Sequence, residues 1–150
     1  MTKRMMAALV ALSGLFVALY LTLYKLGYIG QITCAIGSCE TVQTSRWATF
    51  LGLPVAAWGV GYYLSVLVLT VGGTAERWAD SRGVSLALLA LTAWGALFSA
   101  WLTYLELFVI DAICQWCVVS ALLAAALFVL ALLDYRELRP GAGSVTGQAA

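Results

Sequence analysis

Four long apolar stretches, separated by short polar or charged segments, dominate the pattern of this chain. They cover residues 5–24, 53–71, 84–105 and 112–133. Each is close to the roughly 20 residues that an α-helix needs to cross the hydrocarbon core of a bilayer. The pattern therefore predicts an all-α membrane protein whose four transmembrane helices form one bundle within residues 1–135.

Composition excludes several other classes of protein. The 150 residues are 63% hydrophobic and only 10% charged, which leaves too few polar side chains to cover a soluble helical core. The first apolar stretch is too long for a signal peptide, and no small-residue cleavage site follows it. A net charge of +1 without a basic tract gives no reason to expect a nucleic acid partner. Because histidine is absent, the chemistry must come from cysteines, carboxyl groups, hydroxyl groups and aromatic rings.

Lysine and arginine are distributed unevenly between the two ends of such a bundle, and cytoplasmic loops are enriched in them. One end carries six, against two at the other: Lys3, Arg4, Arg77, Arg82, Arg136 and Arg139, against Lys25 and Arg46. This difference predicts a multi-pass protein of the bacterial inner membrane with both termini in the cytoplasm. The tail, residues 136–150, has turn-forming residues without a periodic pattern and is predicted to be disordered.

The first outer loop, residues 25–52, contains a segment with an apolar side. If residues 40–51 form a helix, its apolar face consists of Val42, Trp47, Phe50 and Leu51. Gly52 and Pro54 then end this helix and start the next one. We predict a short horizontal helix that lies along the membrane surface as a lid over the bundle.

All four cysteines fall on the outer side, where thiols tend to become disulfides. Cys114 and Cys117 are three residues apart, which places them on one face of the last helix, with Cys117 deeper in the bilayer. Asp111 is expected to cap the start of that helix. The helix dipole favours a thiolate at Cys114, while the carboxylate of Asp111 opposes it.

Cys34 and Cys39 form the second pair, and four cysteines allow three pairings. A disulfide that closes so short a loop gains little stability from chain entropy, whereas a short pair suits thiol–disulfide exchange. The two pairs therefore favour a redox relay. Two structural disulfides remain an alternative, as does a zinc site of four thiolates, which the spacing disfavours. No metal is expected.

With these features the sequence resembles the vitamin K epoxide reductase family, in its short bacterial form. The resemblance rests on the four helices, the loop cysteines, "SRWATFLGLPVAAWGVGYY" at residues 45–63, and "CQWC" at residues 114–117. It implies a four-helix bundle around a quinone, capped by a short horizontal helix. It also implies that the protein couples disulfide formation in secreted proteins to the reduction of a quinone.

The resemblance also assigns roles to individual residues. It implies that Cys114 and Cys117 are the active-site pair, with Cys117 beside the quinone. It implies that Cys39 attacks Cys114 while Cys34 meets an external thioredoxin-like oxidase. Ser45 matches a hydroxyl position that helps to form the quinone pocket. Too few residues follow residue 133 for a fused thioredoxin-like domain, so a separate protein is expected as the partner.

The expected acceptor is menaquinone or ubiquinone, bound inside the bundle near Cys117. The further residues expected to form its walls are Phe50, Leu53, Val55, Trp58, Tyr104 and Val118. Animal members of the family have an Asn and a Tyr that contact vitamin K, at positions that correspond to Val55 and Ala121. Neither residue donates a side-chain hydrogen bond, which favours a plain quinone over an epoxide.

Two other interpretations remain. One is the DsbB type of quinone-linked disulfide generator, which has its Cys-x-x-Cys in the first outer loop, the reverse of the order found here. The other is a membrane scaffold with two structural disulfides. Glu106 and Asp111 either pass protons to the reduced quinone or only mark the outer membrane surface.

Overall fold

The computed structural model describes residues 2–28, 30, 39–75, 77 and 81–138. Its elements are α1 Thr2–Lys25, α2 Cys39–Thr44, a 3-10 turn Arg46–Ala48, β1 Thr49–Phe50, β2 Leu53–Pro54, α3 Val55–Gly72, α4 Arg82–Leu105, a π-helical turn Glu106–Ile110, and α5 Gln115–Leu138. Four of these helices, α1, α3, α4 with its π-helical turn, and α5, are long and apolar enough to cross a membrane. The predicted four-helix membrane architecture is confirmed.

The short helix in the first loop is much shorter than the predicted span of residues 40–51. α2 ends at Thr44, and a two-stranded antiparallel hairpin follows the 3-10 turn. The helix ends because the backbone of Ser45 is extended, with φ −71° and ψ 159°. Leu51 and Gly52 both have positive φ, 54° and 81°, as a two-residue type I′ hairpin turn requires.

The prediction that Asp111 caps the last helix is wrong. Asp111 lies in the left-handed region at φ 54° and follows the π-helical turn that extends α4. The amide of Ala112 donates to the carbonyl oxygen of Glu106 at 3.1 Å, so this segment closes α4. The carbonyl of Cys114 accepts from the amide of Val118 at 3.0 Å, so the first turn of α5 starts at Cys114.

Packing around the bundle is uneven. α1 contacts both α3 and α5 closely, and α4 contacts α5, whereas α3 and α4 have few contacts with each other. Small residues of α1, Ala7, Ala11 and Ala18, form much of the core and allow close helix approach. The ring of Tyr63 packs directly over Gly14, where an added Cβ would collide with it. The four helices therefore form an incomplete ring that is loosest between α3 and α4.

A buried polar cluster joins the helices at the end opposite the cysteines. Arg4 is 2% exposed, and its Nε donates to Oδ2 of Asp134 at 3.2 Å. The same Oδ2 accepts from the hydroxyl of Ser85 at 2.9 Å, and the Arg4 guanidinium also donates to the carbonyl oxygen of Gly73. One ion pair thus connects α1 and α5 with the start of α4 and the residue that ends α3.

Candidate redox site and cavity

The two cysteines of "CQWC" occupy different environments. Cys114 is fully buried, in a cluster with Leu21 of α1 and Val42 of α2. Cys117 is partly buried, lies within the first turn of α5, and lines a cavity. The Cys117 side chain forms hydrogen bonds with Cys114 and Glu106. Cys114, the thiol expected to lie nearer the water, is therefore covered by the first outer loop.

α2 connects the loop cysteines to this site. Cys34 lies outside the described residues, and Cys39 is the first residue of α2. Val42, three residues later, packs in the same cluster as Cys114. α2 therefore packs against Cys114 through Val42.

Glu106 joins both cysteines of α5 to the end of α4. Its Oε2 accepts a hydrogen bond from the amide of Cys114 at 3.2 Å, and its carboxyl group also bonds to the thiol of Cys117. The residue is only 5% exposed and lines the cavity. Within the described part of the chain it has no lysine or arginine as an ion-pair partner.

The cavity has a volume of about 550 Å³ and lies between α3 and α4, where the helices pack loosely. This is within the range of small-molecule sites, which start at about 300 Å³. Most of its lining is aromatic or aliphatic, and Glu106 and Cys117 contribute polar groups near the cysteine end. The arrangement places one thiol and one carboxyl group at the edge of an apolar chamber.

The hairpin covers the cysteine end of this chamber. Phe50 makes edge contacts with Trp58 of α3 and Phe98 of α4, each with ring centroids 6.1 Å apart. The indole nitrogen of Trp58 donates to the carbonyl oxygen of Phe50 at 3.0 Å. Trp47 likewise contacts Trp101 of α4, at 6.3 Å. The loop thus bridges the two helices that have few direct contacts.

The structure brings part of the predicted pocket together. Ser45, Phe50, Val55 and Trp58 line the cavity, as does Ala121. Leu53, Tyr104 and Val118 do not line it. Tyr104 is instead exposed and contacts Phe108, with ring centroids 5.1 Å apart.

Sequence reasoning missed the middle of the cavity. Tyr62 and Tyr63 both line it from α3, and their rings meet edge to face at 5.0 Å. The hydroxyl of Tyr63 bonds to the backbone oxygen and the Oγ of Ser120, at 2.7 and 2.8 Å. The hydroxyl of Tyr62 is buried against Gly95 of α4 and has no hydrogen-bond partner among the described residues. Two adjacent tyrosines inside an apolar span were the signal available in the sequence.

Comparison with known protein families assigns the chain to one of them. The sequence model of the vitamin K epoxide reductase family matches residues 5–132 of the 150. That match includes most or all of each of the four long helices and both cysteine pairs. The chain is a multi-pass membrane protein that belongs to the vitamin K epoxide reductase family, and its function is of the membrane thiol–disulfide oxidoreductase kind.

Proposed function

We propose that this protein passes two electrons from an external dithiol protein through Cys34 and Cys39, then through Cys114 and Cys117, to a membrane quinone. The observation that carries the proposal is the thiol of Cys117 at the wall of an apolar cavity between two membrane-spanning helices. Such a chamber suits a lipid-soluble acceptor, and the thiol is within its reach. In this proposal the cysteine end faces the periplasm and the Arg4 end faces the cytoplasm of a bacterial inner membrane.

The first half of the reaction is disulfide exchange. A reduced thioredoxin-like partner attacks the Cys34–Cys39 disulfide, which leaves both loop cysteines as thiols and the partner oxidised. The Cys39 thiolate then attacks the sulfur of Cys114 in a Cys114–Cys117 disulfide, and Cys117 leaves as a thiolate. Attack by Cys34 on Cys39 restores the loop disulfide and releases Cys114. The packing of α2 against Cys114 supports this order.

The second half is oxidation of the Cys114–Cys117 dithiol, with a quinone as the substrate that accepts two electrons and two protons. The hydroxyl of Tyr62, which has no partner among the described residues, fits a ligand with a hydrogen-bond acceptor, such as a quinone carbonyl oxygen. Val55 and Ala121 line the cavity without donors. This supports a plain quinone, menaquinone or ubiquinone, rather than an epoxide as substrate.

The first experiment is anaerobic reduction of a short-chain menaquinone or ubiquinone by the purified protein. Dithiothreitol is the donor, and its direct reaction with the quinone is subtracted. We expect turnover by the wild type and none by Cys117→Ala, because the thiol that contacts the cavity is gone. Ser13→Ala, which changes a solvent- or lipid-exposed hydroxyl of α1, serves as the matched control and should match the wild type. Equal rates in wild type and Cys117→Ala would refute the proposal and favour structural disulfides.

A second variant tests the order of the relay. Cys39→Ser should block electron transfer from a thioredoxin-like partner but leave turnover with dithiothreitol, since a small dithiol reduces the inner pair directly. Equal activity of this variant with both donors would contradict transfer through the loop pair.

A further inference from the structure

Glu106 is a buried acid with no cation beside it in the part of the chain that the structure describes. Taking a carboxylate out of water is expensive unless a cation or several donors compensate. The described residues offer it one amide, from Cys114, and one thiol, from Cys117, but no lysine or arginine. Ionisable side chains kept in membrane segments under such conditions usually serve function. Both of its neighbours here belong to the redox pair.

The backbone is shaped to bring this residue inward. Glu106 is the first residue of the π-helical turn, and the turn ends at Asp111 in the left-handed conformation. The three residues that follow Glu106, namely Leu107, Phe108 and Val109, are all exposed. π-helical turns are rare and occur frequently at functional sites. The turn thus separates one inward carboxyl group from an outward apolar surface.

We propose that Glu106 is the catalytic proton relay between the thiol of Cys117 and an oxygen of the quinone. When the dithiol is oxidised, the sulfurs of Cys114 and Cys117 form one bond and give up two electrons and two protons. Glu106 gives its carboxyl proton to the quinone and takes the proton of Cys117 in its place, so the carboxyl group is regenerated. The quinone takes both electrons and leaves as quinol, with its second proton coming from Cys114. This role rests on the function proposed above.

A purely structural role is the competing explanation. Glu106 could serve only to accept the amide hydrogen of Cys114 and so hold the start of α5 in place. Glu106→Gln separates the two roles, because the amide oxygen still accepts that hydrogen bond while the side chain no longer takes up a proton. Glu106→Asp keeps the acid on a shorter side chain.

The test follows oxidation of the pre-reduced protein by a short-chain quinone in a single turnover. We expect Glu106→Gln to be slower by about 10²-fold, the lower end of what a positioned acid–base group contributes. Glu106→Asp should recover part of that rate. Asp111→Asn is the matched control, since it makes the same carboxyl-to-amide change on a neighbouring exposed residue and should retain the wild-type rate.

Binding is measured separately from turnover. Trp47, Trp58 and Trp94 line the cavity, so a bound quinone should quench tryptophan fluorescence. We expect quinone affinity and melting temperature to be the same in Glu106→Gln and wild type, with only the rate of oxidation lowered.

Three results would overturn the relay. They are a wild-type rate in Glu106→Gln, a loss explained entirely by weaker quinone binding or a lower melting temperature, and a Glu106→Asp variant no faster than Glu106→Gln. Failure of the proposed function looks different, because wild type and Cys117→Ala would then reduce quinone equally.

Discussion

Two buried carboxyl groups, one at each end of the bundle, have opposite surroundings. Asp134 accepts from Arg4 and Ser85 and helps to join three helices. Glu106 is equally buried, but its partners in the described chain are the amide of Cys114 and the thiol of Cys117. The first acid has a cation beside it, whereas the second has the thiol of Cys117. The difference teaches that burial alone does not distinguish a structural acid from a functional one; the partners do.

Two adjacent tyrosines of α3 repeat the same contrast. Tyr63 points to the packed side, over Gly14, and its hydroxyl is satisfied by Ser120. Tyr62 points to the loose side, over Gly95, and its hydroxyl has no partner among the described residues. Since buried hydroxyls are nearly always paired, the exception identifies where a ligand atom is expected.

The largest expected effect comes from breaking the ion pair. Asp134→Asn leaves Arg4 buried without its carboxylate, and we expect the free energy of unfolding to fall by about 3–5 kcal/mol. Turnover per folded molecule should stay at the wild-type level, because the cluster lies at the far end from the cysteines. Thermal unfolding in detergent and dithiothreitol–quinone turnover measure the two quantities. The double variant Arg4→Met with Asp134→Leu removes both charges and should recover most of the stability. Lost turnover in a stable Asp134→Asn variant would contradict the purely structural role assigned to Asp134.

A methyl group added at Gly14 of α1 or at Gly95 of α4, the helices that face the two tyrosines of α3, should have different effects on stability and on quinone binding. Gly14→Ala pushes against the ring of Tyr63, which its bonds to Ser120 hold in place, so we expect a destabilisation of about 1–3 kcal/mol. Gly95→Ala pushes against Tyr62, which can move into the cavity, so we expect a higher KM for quinone with less loss of stability. Gly72→Ala is the control, because its added Cβ would have no heavy atom within 4 Å and the residue does not line the cavity. The contrast fails if Gly95→Ala is the less stable variant and its KM is unchanged.

The smallest expected effects come from removing single hydroxyl groups. Tyr62→Phe removes the donor proposed for the quinone, and a hydrogen bond worth about 1 kcal/mol corresponds to a KM about fivefold higher. Tyr63→Phe should lower the free energy of unfolding by about 1 kcal/mol and leave KM for quinone unchanged, since its hydroxyl bonds to Ser120. Steady-state kinetics at varied quinone concentration measure KM, and thermal unfolding measures stability, for both variants. The assignment is refuted if the two variants exchange their effects.

The sequence by itself determined the four membrane spans, because the thickness of the bilayer sets the length of the apolar run that can cross it, and that length is a local property of the sequence. It also determined that "CQWC" lies at the start of the last helix, and it carried the motifs of the family that the comparison confirms. The extent of α2 and the role of Asp111 were predicted wrongly, because the extended backbone at Ser45 and the left-handed backbone at Asp111 override the apolar pattern.

Only the tertiary structure decided which side of the bundle is open. Hydrophobic runs without a polar face do not indicate which helices meet, so the loose packing of α3 against α4 is invisible in the sequence. For the same reason, the sequence could name Glu106 and Asp111 as acids near the surface but could not choose between them. The π-helical turn distinguishes the two acids, because it directs Glu106 to Cys114 and Cys117 while Asp111 stays exposed.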